Sequence, residues 1–172
     1  LKAGAGEPWH PLILHAINNG WGGMEILSLI PGCAGASPMQ NIGAYGVEIK
    51  DIFHALQAWH IHDKCLVSFS AEDCAFGYRE SVFKNKYKGQ FIILNVTYKL
   101  SKKPVFNTSY GAIEQALDAM GISTLSLKAV SDAVVHIRQS KLPDPAVTGN
   151  AGSFFKNPTI TNEQYDALQK EH

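Results

Sequence analysis

Net charge is the first thing this chain lacks. Its 15 basic and 15 acidic residues cancel over 172 positions, which leaves no basic face for nucleic acid and no acidic tail. Cysteine is scarce: Cys33, Cys65 and Cys74 form an odd, scattered set with neither zinc-site spacing nor the density of a secreted disulfide scaffold. They read as three reduced thiols in a cytoplasmic protein. No apolar run approaches the roughly twenty residues that span a bilayer, and no basic leader precedes a short apolar core, so no membrane insertion is expected. Around Ser153 no histidine or acid sits at the spacing of an acyl-transfer triad, which argues against a hydrolase. Internal repeats and low-complexity segments are absent. There is no initiator methionine either, and Leu1 to Gly6 reads as the interior of a strand and turn, so the chain is expected to begin partway through a longer protein. With 45% hydrophobic residues it can bury the core of one domain, or of one domain and part of a second.

What is plentiful is glycine, in one place. The run from Ile30 to Gly46 packs four glycines, three alanines and two prolines, with Tyr45 the bulky residue near its end. That composition builds no regular amphipathic element and reads as a shaped loop. Glycine allows positive φ and close backbone approach, so consecutive N–H groups could converge there on an anion or on the polar edge of a flat ring.

Around this loop the periodicities are ordinary. Trp9, Leu12, Ile13, Ala16 and Ile17 recur at helical spacing, with Pro8 and Pro11 at the tolerant first turn and Gly20 as a stop. Ile26 to Ile30 is short enough to be a buried strand or a helical turn, and periodicity leaves both open. Residues 52–61 and 65–69 alternate around the turn-like His62-Asp63-Lys64, which predicts a hairpin. Ser70 with Asp73 reads as a helix cap. Phe91 to Leu100 alternates as a half-exposed antiparallel strand. Helices are predicted over Tyr110 to Met120 and Ser131 to Gln139, and Leu142-Pro143-Asp144-Pro145 blocks further helix and marks a boundary. Ser153 to Pro158 reads as a short strand, and Asn162 to Lys170 as a helix. Among the seven histidines, His60 and His62 would share a strand face, but no third ligand stands at a convincing distance, so no metal is expected.

The loop residues Gly32-Cys33-Ala34-Gly35-Ala36-Ser37-Pro38 and Gln40-Asn41-Ile42-Gly43-Ala44-Tyr45-Gly46 closely resemble the flavin-binding loop of the UDP-N-acetylenolpyruvoylglucosamine reductase (MurB) family. Three later anchors follow in the family's order: Phe76 to Lys84, Lys141 to Pro145 and Gly149 to Pro158. The resemblance implies an α+β fold: the second half of a vanillyl-alcohol-oxidase-like FAD-binding domain over residues 1–142, an antiparallel or mixed sheet flanked by helices, with residues 143–172 beginning a substrate-binding domain. It implies FAD as cofactor, NADPH as reductant, and reduction of a UDP-sugar enolpyruvyl ether to UDP-N-acetylmuramate in peptidoglycan precursor synthesis; a monomer is expected.

The same resemblance assigns residues. Cofactor contacts fall on Pro31, Gly32, Gly35, Ala36, Ser37, Gln40, Asn41, Gly43, Ala44, Tyr45, Arg79 and Ile93. Arg79 would lie beside flavin and the enolpyruvyl carboxylate, a planar group that suits a guanidinium fork. Ser153 would be the general acid, delivering a proton to one carbon while hydride reaches the other. Tyr110, Arg138, Lys141 and Asn157 would bind the UDP-sugar, the two cations lying three residues apart at a helix end. A glutamate that completes the family's catalytic set matches nothing here and is expected beyond His172, so the chain alone is expected to turn nothing over. Rival readings are an FAD-linked alcohol or sugar oxidase of the same fold and a binding module without catalysis.

Overall fold

The computed structural model describes residues 1–106, 108–144, 147–149 and 155–171. They fall into two compact units, Leu1–Leu142 and Pro143–His172. The first is built on a four-stranded antiparallel sheet. Strand β1 (Lys2–Gly4) leads into helix α1 (Trp9–Asn18); the glycine-rich segment then carries a two-stranded ribbon, β2 (Gly43–Ala44) with β3 (Val47–Glu48). The hairpin β4 (Phe53–His60) and β5 (Cys65–Ser70), a short helix α2 (Ala71–Cys74) and strand β6 (Phe91–Tyr98) complete the sheet, whose order is β1-β6-β4-β5. Helices α3 (Gly111–Ala119) and α4 (Leu127–Lys141) close the unit.

Alternation explains the sheet. Leu56, Ala58, Phe69, Val96 and Tyr98 are buried on one face, against α1 residues Trp9, Ile13 and Ala16. The register of β4 on β6 shifts between Gln57 and Ala58, which keeps Phe91 and Ile93 on the core side while Ile92 and Leu94 face out. A bulge of this kind lets one strand satisfy two side-chain phases. A second core lies between α3 and α4, where Ile113, Leu117, Val130, Ala133, Val134 and Ile137 pack with Ile26. Val47 touches both cores, so the β2–β3 ribbon is clamped between the sheet and the helix pair.

Most predicted elements form, and the differences have local causes. Helix α4 begins at Leu127 and not at Ser131, because Ser126 caps it by accepting from the Ala129 N–H at 3.1 Å. The ambiguous stretch after Met24 is a single 3-10 turn, Glu25–Leu27, with Trp9 Nε1 donating to the Leu27 carbonyl at 2.9 Å. The Ser70 cap forms as a reciprocal pair: Asp73 N–H donates to Ser70 Oγ at 3.2 Å, and Ser70 N–H to Asp73 Oδ2 at 2.8 Å. His60 and His62 do not share a strand face. His62 sits in the turn after β4, and His60 Nδ1 lies 2.8 Å from Asp63 Oδ2. Among the described residues no group of three or more His, Cys, Asp or Glu is placed to hold a metal ion, and no helix is long and apolar enough to cross a membrane. Cys33, Cys65 and Cys74 are all free thiols; burial pushes that of Cys74 up to about 12.

Among the described residues the second unit carries one helix, α5 (Asn162–Glu171), none of whose described residues is buried. Of the strand expected over 153–158, the described residues Phe155 to Pro158 are not in a strand; Ser153 itself lies outside the described residues.

Candidate functional site

The glycine-rich segment is fixed from below before it can serve anything above. Ala34 N–H donates to Glu7 O at 2.8 Å, Gly35 N–H to Ala5 O at 2.9 Å, Ala36 N–H to Cys33 O at 3.0 Å and Ser37 N–H to Ala34 O at 3.1 Å. The consecutive N–H groups of this stretch are therefore spent inside the protein and do not converge on an anion. Gly35 is required for a different reason: a Cβ there would stand 2.5 Å from the Ala5 Cβ and 3.0 Å from its Cα, where no side chain fits. Ser37, only 1% exposed, sends its hydroxyl inward to Ala34 O at 2.8 Å and to the Tyr98 hydroxyl at 2.9 Å. Its role is to bolt the loop to β6; the hydroxyl is not presented to a ligand. Ile93 lies partly buried against the sheet core.

The upper half of the loop holds the charged group. Gly77 and Glu80 exchange backbone bonds of 3.0 and 3.1 Å, closing a tight turn with Tyr78 and Arg79 at its tip. Arg79 takes φ 55° there, the left-handed region where a side chain costs about 1–2 kcal/mol. The turn aims its guanidinium onto the loop: Nη2 donates to Gly43 O at 2.6 Å, and Nη1 reaches Asn41 O and Glu48 Oε1, each at 3.4 Å. The Tyr78 ring lies 5.0 Å from the Arg79 guanidinium carbon.

Asn41 is the buried hub beneath this cation, itself left-handed at φ 46°. Its amide nitrogen donates to Gly77 O at 2.9 Å and to Glu48 Oε2 at 3.1 Å, and its amide oxygen accepts from Lys50 N–H at 2.9 Å. Glu48 is thus shared by Arg79, Asn41 and Lys50, whose Nζ lies 2.8 Å away. Strain of this kind, at Asn41, Tyr45 (φ 49°) and Arg79 together, persists only where surrounding bonds over-determine it and gathers at functional sites.

A second group converges at the ribbon. The Tyr45 and Tyr110 rings meet edge to face with centroids 5.6 Å apart. Burial pushes the Tyr45 hydroxyl up, partly opposed by the nearby positive charge of Arg138. Arg138, in the last turn of α4, donates from Nε to Leu29 O at 3.2 Å, and partial burial lowers its pKa. Lys141 is exposed in the same turn, Tyr110 is 55% exposed, and Pro31, Gly32, Ala36 and Gln40 lie open along the loop. The structure therefore gathers loop and Arg79 at one place, and Tyr45, Tyr110 and Arg138 at another along the same ribbon. Asn157 is exposed in the second unit. Glu48, His10 and Leu29 were not found by sequence: their partners lie 31 to 109 residues away or across a helix turn, and no local motif marks them.

Residues 1–64 match the family described as FAD binding domain. With an α+β sheet beneath a glycine-rich loop and a fixed cation, this defines a flavin-binding class of protein. The whole chain is 54% identical to UDP-N-acetylenolpyruvoylglucosamine reductase from Amoebophilus asiaticus, covering 51% of that protein. It is 52% identical to the reductase of that name from Pseudomonas syringae pv. tomato and 50% identical to that from Chromobacterium violaceum, covering 50% and 51% of them. The crystal structure of UDP-N-acetylenolpyruvylglucosamine reductase (MurB) from Thermus caldophilus shares the fold, with TM-score 0.67 at 23% identity over 98% of this chain and 53% of that one. The chain belongs to the UDP-N-acetylenolpyruvoylglucosamine reductase family and spans about half the length of the relatives it matches.

Proposed function

We propose that this chain supplies the flavin-facing and part of the substrate-facing surface of a reductase that converts UDP-N-acetylenolpyruvoylglucosamine to UDP-N-acetylmuramate, with NADPH as the electron source. The observation that carries this reading is the guanidinium of Arg79 held on the backbone of the glycine-rich loop by the Gly43 carbonyl at 2.6 Å. FAD fits that surface: the loop is open at Pro31, Gly32 and Gln40, its backbone is rigidly backed, and the adjoining charge is positive. Pro31, Gly32, Gly35, Ala36, Gln40, Asn41, Gly43, Ala44, Tyr45, Arg79 and Ile93 would hold it, and when bound it supplies hydride to one carbon of the substrate's double bond.

The residues of the chain do the rest. Arg79 offers a planar fork to the enolpyruvyl carboxylate and stabilises negative charge as it grows there. Fixed in advance, such a charge can contribute on the order of 3 kcal/mol to the transition state. Ser153 delivers the proton to the second carbon. Tyr110 lies over the sugar nucleotide, Arg138 and Lys141 face its diphosphate, and Asn157 is a further substrate contact. Residues 1–142 serve as the flavin domain and residues 143–172 open the substrate domain.

The test uses the full-length protein. A yellow protein that oxidises NADPH only when UDP-N-acetylenolpyruvoylglucosamine is present, and does so without oxygen, is expected. Turnover of an alcohol or sugar with oxygen as acceptor would replace this reading with that of an oxidase, and flavin binding without any turnover would reduce it to a binding module.

A further inference from the structure

We infer that His10 is a positioning residue for Arg138, acting through the left-handed residue Leu29. The inference rests on the reading of Arg138 as a ligand for the substrate diphosphate and adds how that guanidinium is oriented. Leu29 has φ 59°, a conformation that costs a branched side chain about 1–2 kcal/mol. Its N–H donates to His10 Nδ1 at 3.1 Å, and its carbonyl accepts from Arg138 Nε at 3.2 Å. One strained residue thus joins the first turn of α1, 19 positions before it, to the last turn of α4, 109 positions after it.

The flanking residues are fixed independently. Trp9 Nε1 donates to Leu27 O at 2.9 Å, and Ser28 Oγ meets Ser131 Oγ at 2.7 Å in a buried pair. The indole already ties this segment to α1 and the serine pair already ties it to α4, so neither attachment depends on His10. What remains for His10 is the orientation of the Ser28–Leu29 peptide, from which the left-handed Leu29 turns into the Leu29–Ile30 peptide that carries the carbonyl. An imidazole nitrogen accepting an N–H holds that group on a defined axis, and the carbonyl of Leu29 is thereby set against Arg138. Nε is the single donor on the stem side of the guanidinium, so fixing it fixes the plane of the fork and leaves the two terminal amino groups for an anion.

Full-length flavin-loaded protein carrying His10→Asn, His10→Gln, His10→Ala, Arg138→Ala and the His10→Ala/Arg138→Ala pair tests this. Binding of UDP-N-acetylenolpyruvoylglucosamine is read from the flavin spectrum, and KM and kcat from NADPH oxidation. Asn places its oxygen where Nδ1 stands, whereas Gln places it one bond further. The Asn variant is expected to bind as the parent, and the Gln and Ala variants about tenfold more weakly, as for other outer partners of a ligand-holding side chain, with the loss in KM and not in kcat. In the Arg138→Ala background, removing His10 should cost nothing more. Equal behaviour of Asn and Gln overturns the inference even if the alanine variant does not fold, and so does an equal loss from His10→Ala with and without Arg138. Hydrogen exchange at the Arg138 Nε–H separates the two readings. Faster exchange in the Gln variant, restored in Asn, supports the link whatever the substrate does, and unchanged exchange overturns it. Unchanged binding in Arg138→Ala overturns the assignment of Arg138 to the substrate and leaves the exchange result to stand by itself.

Discussion

Arg79 and Gly43 share one volume of space. The arginine donates to the glycine carbonyl at 2.6 Å, and a Cβ on Gly43 would stand 2.8 Å from Arg79 Nη1 and 2.7 Å from Val47 O. A methyl group at position 43 must therefore displace the guanidinium, the ribbon, or both. Gly43→Ala is expected to keep flavin but lose on the order of 10²-fold in substrate-dependent NADPH oxidation, the scale of a misplacement of about 1 Å. Flavin absorbance alongside initial rates decides it, and a variant with parental rates would mean that the fork does not need this seat.

Arg79→Lys keeps the charge and removes the fork. One ammonium cannot reach Gly43 O and Asn41 O while presenting two parallel donors to a carboxylate. The expected loss in kcat is about 10²–10³-fold, as for other preorganised donors to developing charge. A lysine variant with parental kcat would show that position 79 supplies charge alone.

Removing the Ser37 hydroxyl should loosen the loop from the sheet. Its buried bonds to Ala34 O and Tyr98 are lost in Ser37→Ala, and the Tyr98 hydroxyl keeps its 3.2 Å bond to Ala34 O. A loss of about 1–2 kcal/mol is expected, read as a lower urea midpoint with unchanged slope. FAD affinity should fall with it, and unchanged titrations of both kinds would contradict the role of Ser37 as an anchor.

His10 gives stability a pH dependence whose sign is fixed. Burial lowers its pKa below the ordinary 6.5, so the unfolded chain binds this proton more readily than the folded one. Its contribution is complete above 6.5 and is lost as pH falls through the depressed folded value. The parent should therefore lose more stability than His10→Asn between about pH 7 and pH 5, where an unperturbed imidazole titrates. Parallel unfolding curves for the two proteins across that range would remove the effect.

Ser153→Ala tests the proton donor. Loss of a positioned general acid should slow turnover by about 10²–10⁴-fold while flavin reduction by NADPH proceeds at its parental rate. Rapid-mixing absorbance separates the two half-reactions, and equal slowing of both would reassign the serine.

How much was legible in advance depended on the range of the interaction. The β4–β5 hairpin, β6, α1 and the Ser70–Asp73 cap follow from alternation, helical spacing and a three-residue motif, all local signals. The start of α4 was misread because Leu127 and Val130 extend its apolar face ahead of Ser131, with Ser126 as the true cap. Composition identified the glycine-rich loop as shaped but not what its N–H groups would do, since Ala34 and Gly35 spend theirs on Glu7 and Ala5, on a segment read only as strand and turn. Family motifs pointed to Arg79, Tyr110 and Arg138; the carbonyls and carboxylate that orient the two arginines come from distant positions and leave no pattern in the chain.

Asn41 leaves a protein engineer no choice of residue. Its nitrogen must give two bonds, its oxygen must take one, and its backbone must tolerate a left-handed turn in a space without solvent. Aspartate would set a second carboxylate against Glu48, glutamine is one carbon too long, and glycine would leave the Lys50 N–H and the Gly77 carbonyl each without its present partner. Converting this single amide to a carboxylate would therefore both bury a like charge beside Glu48 and disarm the neighbouring guanidinium, a change of one atom that reaches the loop, the ribbon and the turn at once.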